Sequence, residues 1–250
     1  METIIDNKYK EYVNNKRVVF VGPAPILVGK GLNKFVDSFD VVVRTNGSIL
    51  LLDNPKYRKD YGSRIDVLYS NVQFHRELGS PFPIESWKEK YNIKFICMKT
   101  CGGVFLDTYR KVMPVRTLNK LIGELHKKVE GLLMGPIILT DLIRQQPKEL
   151  YVTGMDFFIH KPDDFIPGDY REYFPGYLPK KIVVKADIAN IGRVDPHDQY
   201  SNAVYMNDLY KQNLLILDPA VEEAMKVVLD NPAYYNYTAK LERVKKKEKK

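Results

Sequence analysis

The chain has 250 residues, 44% of them hydrophobic and 17 of them tyrosine, with a formal net charge of +8. That is enough apolar material for one large domain or two small ones, and too much for a disordered chain. Five of the last six residues are lysines (Lys245, Lys246, Lys247, Lys249, Lys250), so the body is only mildly basic. The tail reads as a solvated end or as a weak contact for an anionic membrane surface. Basic patches interleaved with aromatics, of the kind that stack on bases, are not seen in the sequence, and no nucleic acid partner is expected. The two cysteines, Cys97 and Cys101, have no further Cys or His at zinc spacing, so neither a metal site nor a disulfide framework is expected. No stretch is apolar and long enough to span a membrane and no signal peptide is seen, which predicts a soluble protein, cytoplasmic or otherwise intracellular.

In chain order, residues 1–16 read as a short polar helix. The run RVVFVG at 17–22 is a strand buried on both faces. Gly22, Pro23, Ala24 and Pro25 then turn the chain, and a helical segment follows Gly29 and Gly31 at 32–36. A glycine at the end of a first strand suits a phosphate held near a helix N-terminus. The spacing is not GxGxxG, and the second strand at 40–46 ends in Arg44, Thr45 and Asn46 rather than in an acid, which argues against NAD. Asn46 offers both a donor and an acceptor to a ribose or a base. A third strand at 67–71 ends in Asn71, another polar residue at the same edge.

Further along, 84–91 is predicted helical and 93–98 a strand. Segments 104–112 and 115–129 read as two helices broken at Pro114. Within 130–158, Leu132, Leu133, Ile137, Leu139, Leu142 and Ile143 recur at helical spacing, with Pro136 early in the helix where its missing N–H matters least. Gln145, Gln146 and Pro147 stop that helix, and 150–153 is a short strand that Gly154 ends. In an open α/β sheet ligands bind at the carboxyl ends of strands, which places Gly154, Asp156 and Phe157 at a candidate site. Segment 163–180 is rich in Pro, Gly and Tyr without a period, and reads either as a lid over a site or as a surface connection; Tyr170, Tyr173 and Tyr177 favour the lid. Residues 182–184 form a short strand, 198–212 a helix, 214–217 a last strand and 221–229 a last helix. The expected fold is a Rossmann-like α/β domain over 1–232, with a mostly parallel sheet flanked by helices, a lid segment at 160–180 and a flexible basic tail at 233–250.

Two regions carry a family resemblance. The strand-Val-Gly turn at 18–24, the run DVVVRTN at 40–46 and the segment DYGSRIDV at 60–67 resemble the large donor motif of sialyltransferases. A helix led by Gly131, the strand KELYVT at 148–153 and the exit GMDF at 154–157 resemble the second donor motif, found in the animal Golgi and bacterial lipooligosaccharide enzymes. The resemblance implies transfer of sialic acid or a related sugar from a CMP-activated donor to a glycan hydroxyl, with inversion. It implies nucleotide-binding roles for Gly22, Ala24, Asn46, Asn71, Gly131, Gly154, Asp156 and Phe157. The partners implied are a nucleotide-sugar donor and a glycan acceptor, with no cofactor.

That chemistry needs a base to take the acceptor proton, and histidine suits it with an ordinary pKa of about 6.5. His75 and His126 read as surface residues. His197, in DPHDQYSN ahead of a helix, resembles the bacterial family's base and is preferred over His160. The alternative is a capping or buried structural histidine. The departing phosphate needs donors. In the bacterial enzymes tyrosines supply them; the position after the Asp-Phe pair is Phe158 here, so Tyr170 and Tyr173 are the substitutes, or His160 takes the phosphate as in the animal arrangement. Asp156 reads equally as an acid that orients a ligand hydroxyl and as a turn acid bonding backbone N–H groups. No Asp-x-Asp pair occurs, and no metal is expected.

Three departures stand out. Glu130 lies before Gly131 where the families have Ser or Thr, so either it points away or the donor is not an ordinary sialic acid. Pro23 replaces an asparagine of the first turn, and Phe158 lacks a hydroxyl. These features favour the alternative of a non-catalytic nucleotide- or glycan-binding module derived from a transferase fold.

Overall fold

The computed structural model describes residues 2–71, 84–99, 107, 109–159 and 198–235. Its centre is a seven-stranded sheet in which every ladder is parallel. The strands are β1 (Arg17–Val21), β2 (Val41–Thr45), β3 (Val67–Asn71), β4 (Phe95–Lys99), β5 (Val115–Thr117), β6 (Glu149–Thr153) and β7 (Ile216–Leu217). Their spatial order is β5-β4-β3-β2-β1-β6-β7. Parallel strands need crossovers, and crossovers cover both faces of the sheet, which is why β1 and β2 are runs of β-branched and aromatic residues buried on both sides.

The period of two sorts the side chains. Val18, Phe20, Val41, Val43, Val67 and Tyr69 face one core. Helices α1 (Glu2–Val13), α5 (Asn119–Leu125), α6 (Met134–Arg144), α7 (Gln199–Lys211) and α8 (Pro219–Leu229) close over it. Val19, Val21 and Val42 face the other side, beneath α2 (Asn33–Asp37) and α3 (Pro55–Tyr61). Leu68, Ile96 and Met98 pack there against the 3-10 stretch Asn46–Leu52 and α4 (Ile84–Tyr91). A short α9 (Pro232–Tyr235) follows α8.

Strands β1 to β4 and β6 and the helices α4, α6, α7 and α8 lie close to where the sequence puts them. Two assignments are corrected. The predicted helix at 115–129 begins as strand β5, and α5 starts only at Asn119. The backbone of the segment is taken by the sheet: Ile96 N–H donates to Pro114 O at 3.1 Å and Leu118 N–H to Met98 O at 2.9 Å. Val115 and Arg116 are buried against β4, and a β-branched residue beside an open sheet edge gains more from the ladder than from a helical turn. The last strand is also shorter than predicted, because Leu214 N–H turns back to Leu209 O at 3.1 Å and only Ile216 and Leu217 pair. The lid segment, the strand at 182–184 and the tail beyond 235 lie outside the described residues.

Candidate functional site

From β1 the chain runs to β2 on one side, while β6 lies on the other, so the sheet reverses its order between β1 and β6. The crevice outside the carboxyl ends of strands at such a reversal is where open α/β sheets bind ligands. Here the two strand exits pack backbone to backbone. Gly22 N–H donates to Thr153 O and Ala24 N–H to Gly154 O, each at 2.9 Å. A methyl group on Gly22 would stand 2.2 Å from Gly154 O, and one on Gly154 would stand 2.3 Å from Gly22 O. Both positions therefore need glycine for closeness, and Gly154 needs it also for its φ of +68°.

A cavity of about 140 Å³ opens at this point. It runs along the carboxyl edge from the β6 exit to β4. Gly22, Pro23 and Ala24 contribute from β1, Thr45 and Asn46 from β2, Asn71 from β3 and Lys99 from β4. The β6 exit adds Gly154 to Phe158, and the start of α6 adds Leu132, Leu133, Met134 and Gly135. The N-terminus of α6 thus faces the space. Its Leu133 cap makes no side-chain cap bond. The first N–H groups of an α-helix have no intrahelical acceptor, and together with the helix dipole they favour an anion.

The approach to α6 is fastened by α7. The buried Asn202 accepts from Leu133 N–H at 2.9 Å and donates to Gly131 O at 2.9 Å and to Asp198 O at 2.6 Å. Gln199 reaches the other wall and donates to Phe157 O at 2.5 Å. Asp198 caps α7 by accepting from Ser201 N–H at 2.7 Å, and its own N–H donates to Gly131 O at 3.2 Å. Below the cavity, α6 is pinned by a buried ion pair. Arg116 Nη1 donates to Asp141 Oδ2 at 2.6 Å and Tyr69 OH to the same oxygen at 2.5 Å. Burial pushes the Tyr9 and Tyr69 hydroxyls well above the usual tyrosine range, and the Cys97 thiol up to about 12.

Of the eight residues predicted to hold a nucleotide, seven line this one cavity, and Gly131 stands one residue behind its wall. Asn46 sits at φ 47°, and its Oδ1 accepts from Asn71 N–H at 2.9 Å. That bond takes one lone pair of the oxygen and fixes the amide, whose nitrogen is left as a donor. Asp156 is 4% exposed and accepts from Phe158 N–H at 3.0 Å, so the turn role is real even though the residue also lines the space. Phe157 and Phe158 both adopt left-handed conformations, at φ 52° and 60°, which costs a non-glycine residue of order 1 kcal/mol or more each. The Asp156 and Gln199 bonds hold that turn.

Of the three departures, Pro23 and Phe158 line the cavity. Glu130 does not: it is exposed, and its N–H donates to Ser201 Oγ at 3.0 Å. His126 is exposed at the end of α5, as expected. His75, His160, Tyr170, Tyr173, Tyr177 and His197 lie outside the described residues.

Sequence reasoning missed Thr45, Lys99, Gln199 and Asn202. Ser48 Oγ accepts from Thr45 N–H at 3.1 Å and donates to Thr45 O at 2.7 Å, while the buried Thr45 Oγ1 has no hydrogen-bond partner among the described residues. Lys99 had a usable signal: it is a polar residue ending an apolar strand, the same pattern that singled out Asn46 and Asn71. Gln199 and Asn202 had none, because the loops they fasten, at Phe157, Gly131 and Leu133, are more than 40 residues away in the chain.

No family model matches the chain, and no curated protein does. Solved structures do match in fold. A variant of the sialyltransferase CST-II in complex with CMP superposes with a TM-score of 0.53 at 14% identity, covering 81% of this chain and 80% of that one. A second CST-II variant with CMP gives 0.51 at 14% identity over the same shares. An α-2,3-sialyltransferase from Campylobacter jejuni without ligand gives 0.50 at 15%, covering 81% of this chain and 74% of that one. The fold is therefore similar to that of sialyltransferases. Among the described residues no helix is long and apolar enough to cross a membrane.

Proposed function

We propose that this protein is a glycosyltransferase that moves sialic acid or a related sugar from a CMP-activated donor to a glycan hydroxyl. The observation that carries the reading is the cavity between the β1 and β6 exits, built from the residues of both donor-like motifs, in a fold whose solved neighbours hold CMP. The donor phosphate takes the N-terminus of α6, where Met134 and Gly135 present N–H groups. The amide nitrogen of Asn46 reaches the ribose or base, and the glycine pair at Gly22 and Gly154 lets the backbone lie close to the nucleotide.

Transfer then requires one proton to move and one bond to exchange. The acceptor hydroxyl attacks the anomeric carbon as the bond from that carbon to the phosphate oxygen breaks, inverting the centre and releasing CMP. His197 is the proposed base. Its chain neighbour Asp198 is hydrogen-bonded to Gly131, directly behind the cavity wall, which supports placing the base on this approach. Negative charge gathering on the phosphate is met by the α6 terminus and by hydroxyls, for which Tyr170 and Tyr173 are proposed, with His160 in reserve; no metal is invoked.

The test has two stages. Calorimetric titration with CMP, against UMP, GMP and NAD, is expected to show selective binding of CMP. The variant His197→Ala is then expected to keep CMP affinity and lose about 10²–10⁴-fold in transfer rate. Full activity in that variant refutes the role of His197. A second reading, a binding module without turnover, is favoured by Pro23 and Phe158 because both departures lie on the cavity wall itself. Donor hydrolysis separates the two, since a module that only binds leaves the donor intact.

A further inference from the structure

Strand β2 carries Val41 and Val43 on the side of the sheet that α6 covers, and both are buried there. Thr45 is the next residue on that face, since its backbone is still extended at φ −129° and ψ 142°. It is 7% exposed and lines the cavity. Among the described lining residues, Thr45 alone carries a hydroxyl. A third valine would have the same shape, so the hydroxyl needs a reason.

The fold supplies none. Ser48 Oγ serves both the N–H and the C=O of Thr45, so the turn out of β2 is capped without the threonine hydroxyl. Two buried side-chain atoms have no hydrogen-bond partner among the described residues, Arg44 Nη1 and Thr45 Oγ1. The Arg44 guanidinium is held through its other nitrogens, Nε to Arg64 O at 2.8 Å and Nη2 to Tyr61 O at 2.6 Å. The Thr45 side chain has no second polar atom to hold it. An unpaired buried hydroxyl costs stability that an apolar isostere does not.

Its place in the sheet favours an anionic ligand. Val21 stands opposite Arg44 in the ladder, so Gly22 and Thr45 are the next pair, one strand step of about 4.8 Å apart. Gly22 and Gly154 have no side chains, so bare backbone separates Thr45 from the β6 exit. The start of α6 faces the same space but is short of donors. Asn202 takes the Leu133 N–H and Pro136 has none, which leaves Met134 and Gly135. A terminal phosphate has three outer oxygens and calls for a further donor. Rotation about χ1 exchanges the hydroxyl and methyl of a threonine within nearly the same volume, so a ligand can draw the hydroxyl into the cavity.

We infer that the Thr45 hydroxyl donates to the phosphate of the bound nucleotide, as the third donor beside the N–H groups of Met134 and Gly135. The inference rests on the reading of the cavity as a CMP-sugar site. The hydroxyl destabilises the empty protein and finds its partner in the complex. As the bond between phosphate oxygen and sugar breaks, charge grows on the phosphate and this hydrogen bond strengthens.

The test compares the full chain with its Thr45→Val and Thr45→Ser variants in three measurements: thermal melts without ligand, calorimetric titration with CMP, and the phosphorus NMR shift of CMP at saturation. Thr45→Val keeps the shape and removes the hydroxyl. It is expected to melt about 2 °C or more above the parent and to bind CMP about tenfold or more weakly, the size of a hydrogen bond to a charged group. The phosphorus resonance of bound CMP is expected to differ between that variant and the parent. Thr45→Ser keeps the hydroxyl and is expected to bind CMP within about threefold of the parent. If the parent binds CMP and Thr45→Val binds it as tightly, the inference is overturned while the donor-site reading stands. A Thr45→Val protein that melts below the parent overturns it too, because the hydroxyl then serves the fold. So does a Thr45→Ser variant as weak as Thr45→Val, because the methyl then matters. Weaker binding with an unmoved phosphorus resonance puts the hydroxyl on the ribose or base and overturns the phosphate assignment. A parent that binds no CMP overturns the donor-site reading and this inference with it. Thr45→Ala takes the place of a Thr45→Val variant that does not fold, with the same outcomes for affinity and resonance.

Discussion

Replacing Gly22 by alanine tests whether the meeting of the β1 and β6 exits builds the site. The new methyl would stand 2.2 Å from Gly154 O and 2.9 Å from Gly154 C, both backbone atoms that cannot rotate away. The strand exits must separate by about 1 Å to reach ordinary contact, which is overpacking worth about 1–3 kcal/mol. Separation also stretches the bonds from Gly22 N–H to Thr153 O and from Ala24 N–H to Gly154 O, now 2.9 Å each. Each contributes about 0.5–1.5 kcal/mol net, so the total cost is about 2–6 kcal/mol. In a protein of this size that lowers the melting temperature by at least about 4 °C. Gly29→Ala is the internal control. Gly29 has a φ of +81° but nothing within 4 Å of its added methyl, so only the backbone term of about 1 kcal/mol applies. Urea melts and CMP titration of both variants are the assay. Gly22→Ala is expected to be the less stable by at least about 1 kcal/mol and to bind CMP at least tenfold more weakly, while Gly29→Ala keeps its affinity. Equal melts and equal affinities in the two variants would refute the argument that close backbone approach, rather than glycine's freedom, shapes the cavity.

Three further outcomes are expected. Asp141→Asn leaves the Arg116 guanidinium, 8% exposed, without its buried counter-charge, and should cost about 3 kcal/mol or more, roughly 6–12 °C in melting temperature; a change below about 1 kcal/mol would show that the ion pair to Asp6 at 2.7 Å and the Tyr9 ring, 4.0 Å from the guanidinium carbon, suffice. Tyr61→Phe removes the donor to Ala24 O, a 2.7 Å bond between α3 and the cavity's first loop, and should cost about 1–3 kcal/mol in a urea melt and weaken CMP binding in titration. Stability should fall as pH rises above about 9. Cys97 is pushed up to about 12 by burial, and Tyr9 and Tyr69 are also raised, so the unfolded chain releases these protons first and gains on the folded one. Arg44, pushed down to about 10 by burial, acts in the opposite sense but stands alone against them. Urea midpoints measured from pH 8 to 11 check this, with a shallower slope expected for Tyr9→Phe; a flat or rising profile in the parent would contradict it.

The parts of the fold legible in the sequence are those with a one-dimensional signature. RVVFV and VVVRT can be little other than strands buried on both faces, and the apolar period of α6 with its Gln145–Pro147 stop marks a helix. Gly22, Asn46, Asn71 and Gly154 follow or end strands, and strand ends of a parallel sheet share an edge, while Ala24 and Gly131 are legible only through the family resemblance. What was missed has its cause in three dimensions. Three residues of β5 are too few to show a period, and they run on into a true helix. The 3-10 stretch Asn46–Leu52 carries no alternation in its run ILLL, and α3 is marked only by the Asn54 cap with Pro55 behind it, a short signal over seven residues. Gln199 and Asn202 look like ordinary polar faces of a helix until the loops they hold are known.

The segment DYGSRID, whose likeness to a donor motif helped point to the family, touches the cavity nowhere. Asp60 accepts from Gly29 N–H at 2.9 Å and Gly31 N–H at 2.8 Å, Ser63 donates to Asp37 at 2.7 Å, and Asp66 accepts from Val42 N–H at 2.7 Å. These side chains are knots that tie the connections of β1 and β2 to the body. Such a signature describes how the strand connections are lashed to the body, and a likeness that rests on it speaks to the frame of the cavity rather than to the residues that face its interior.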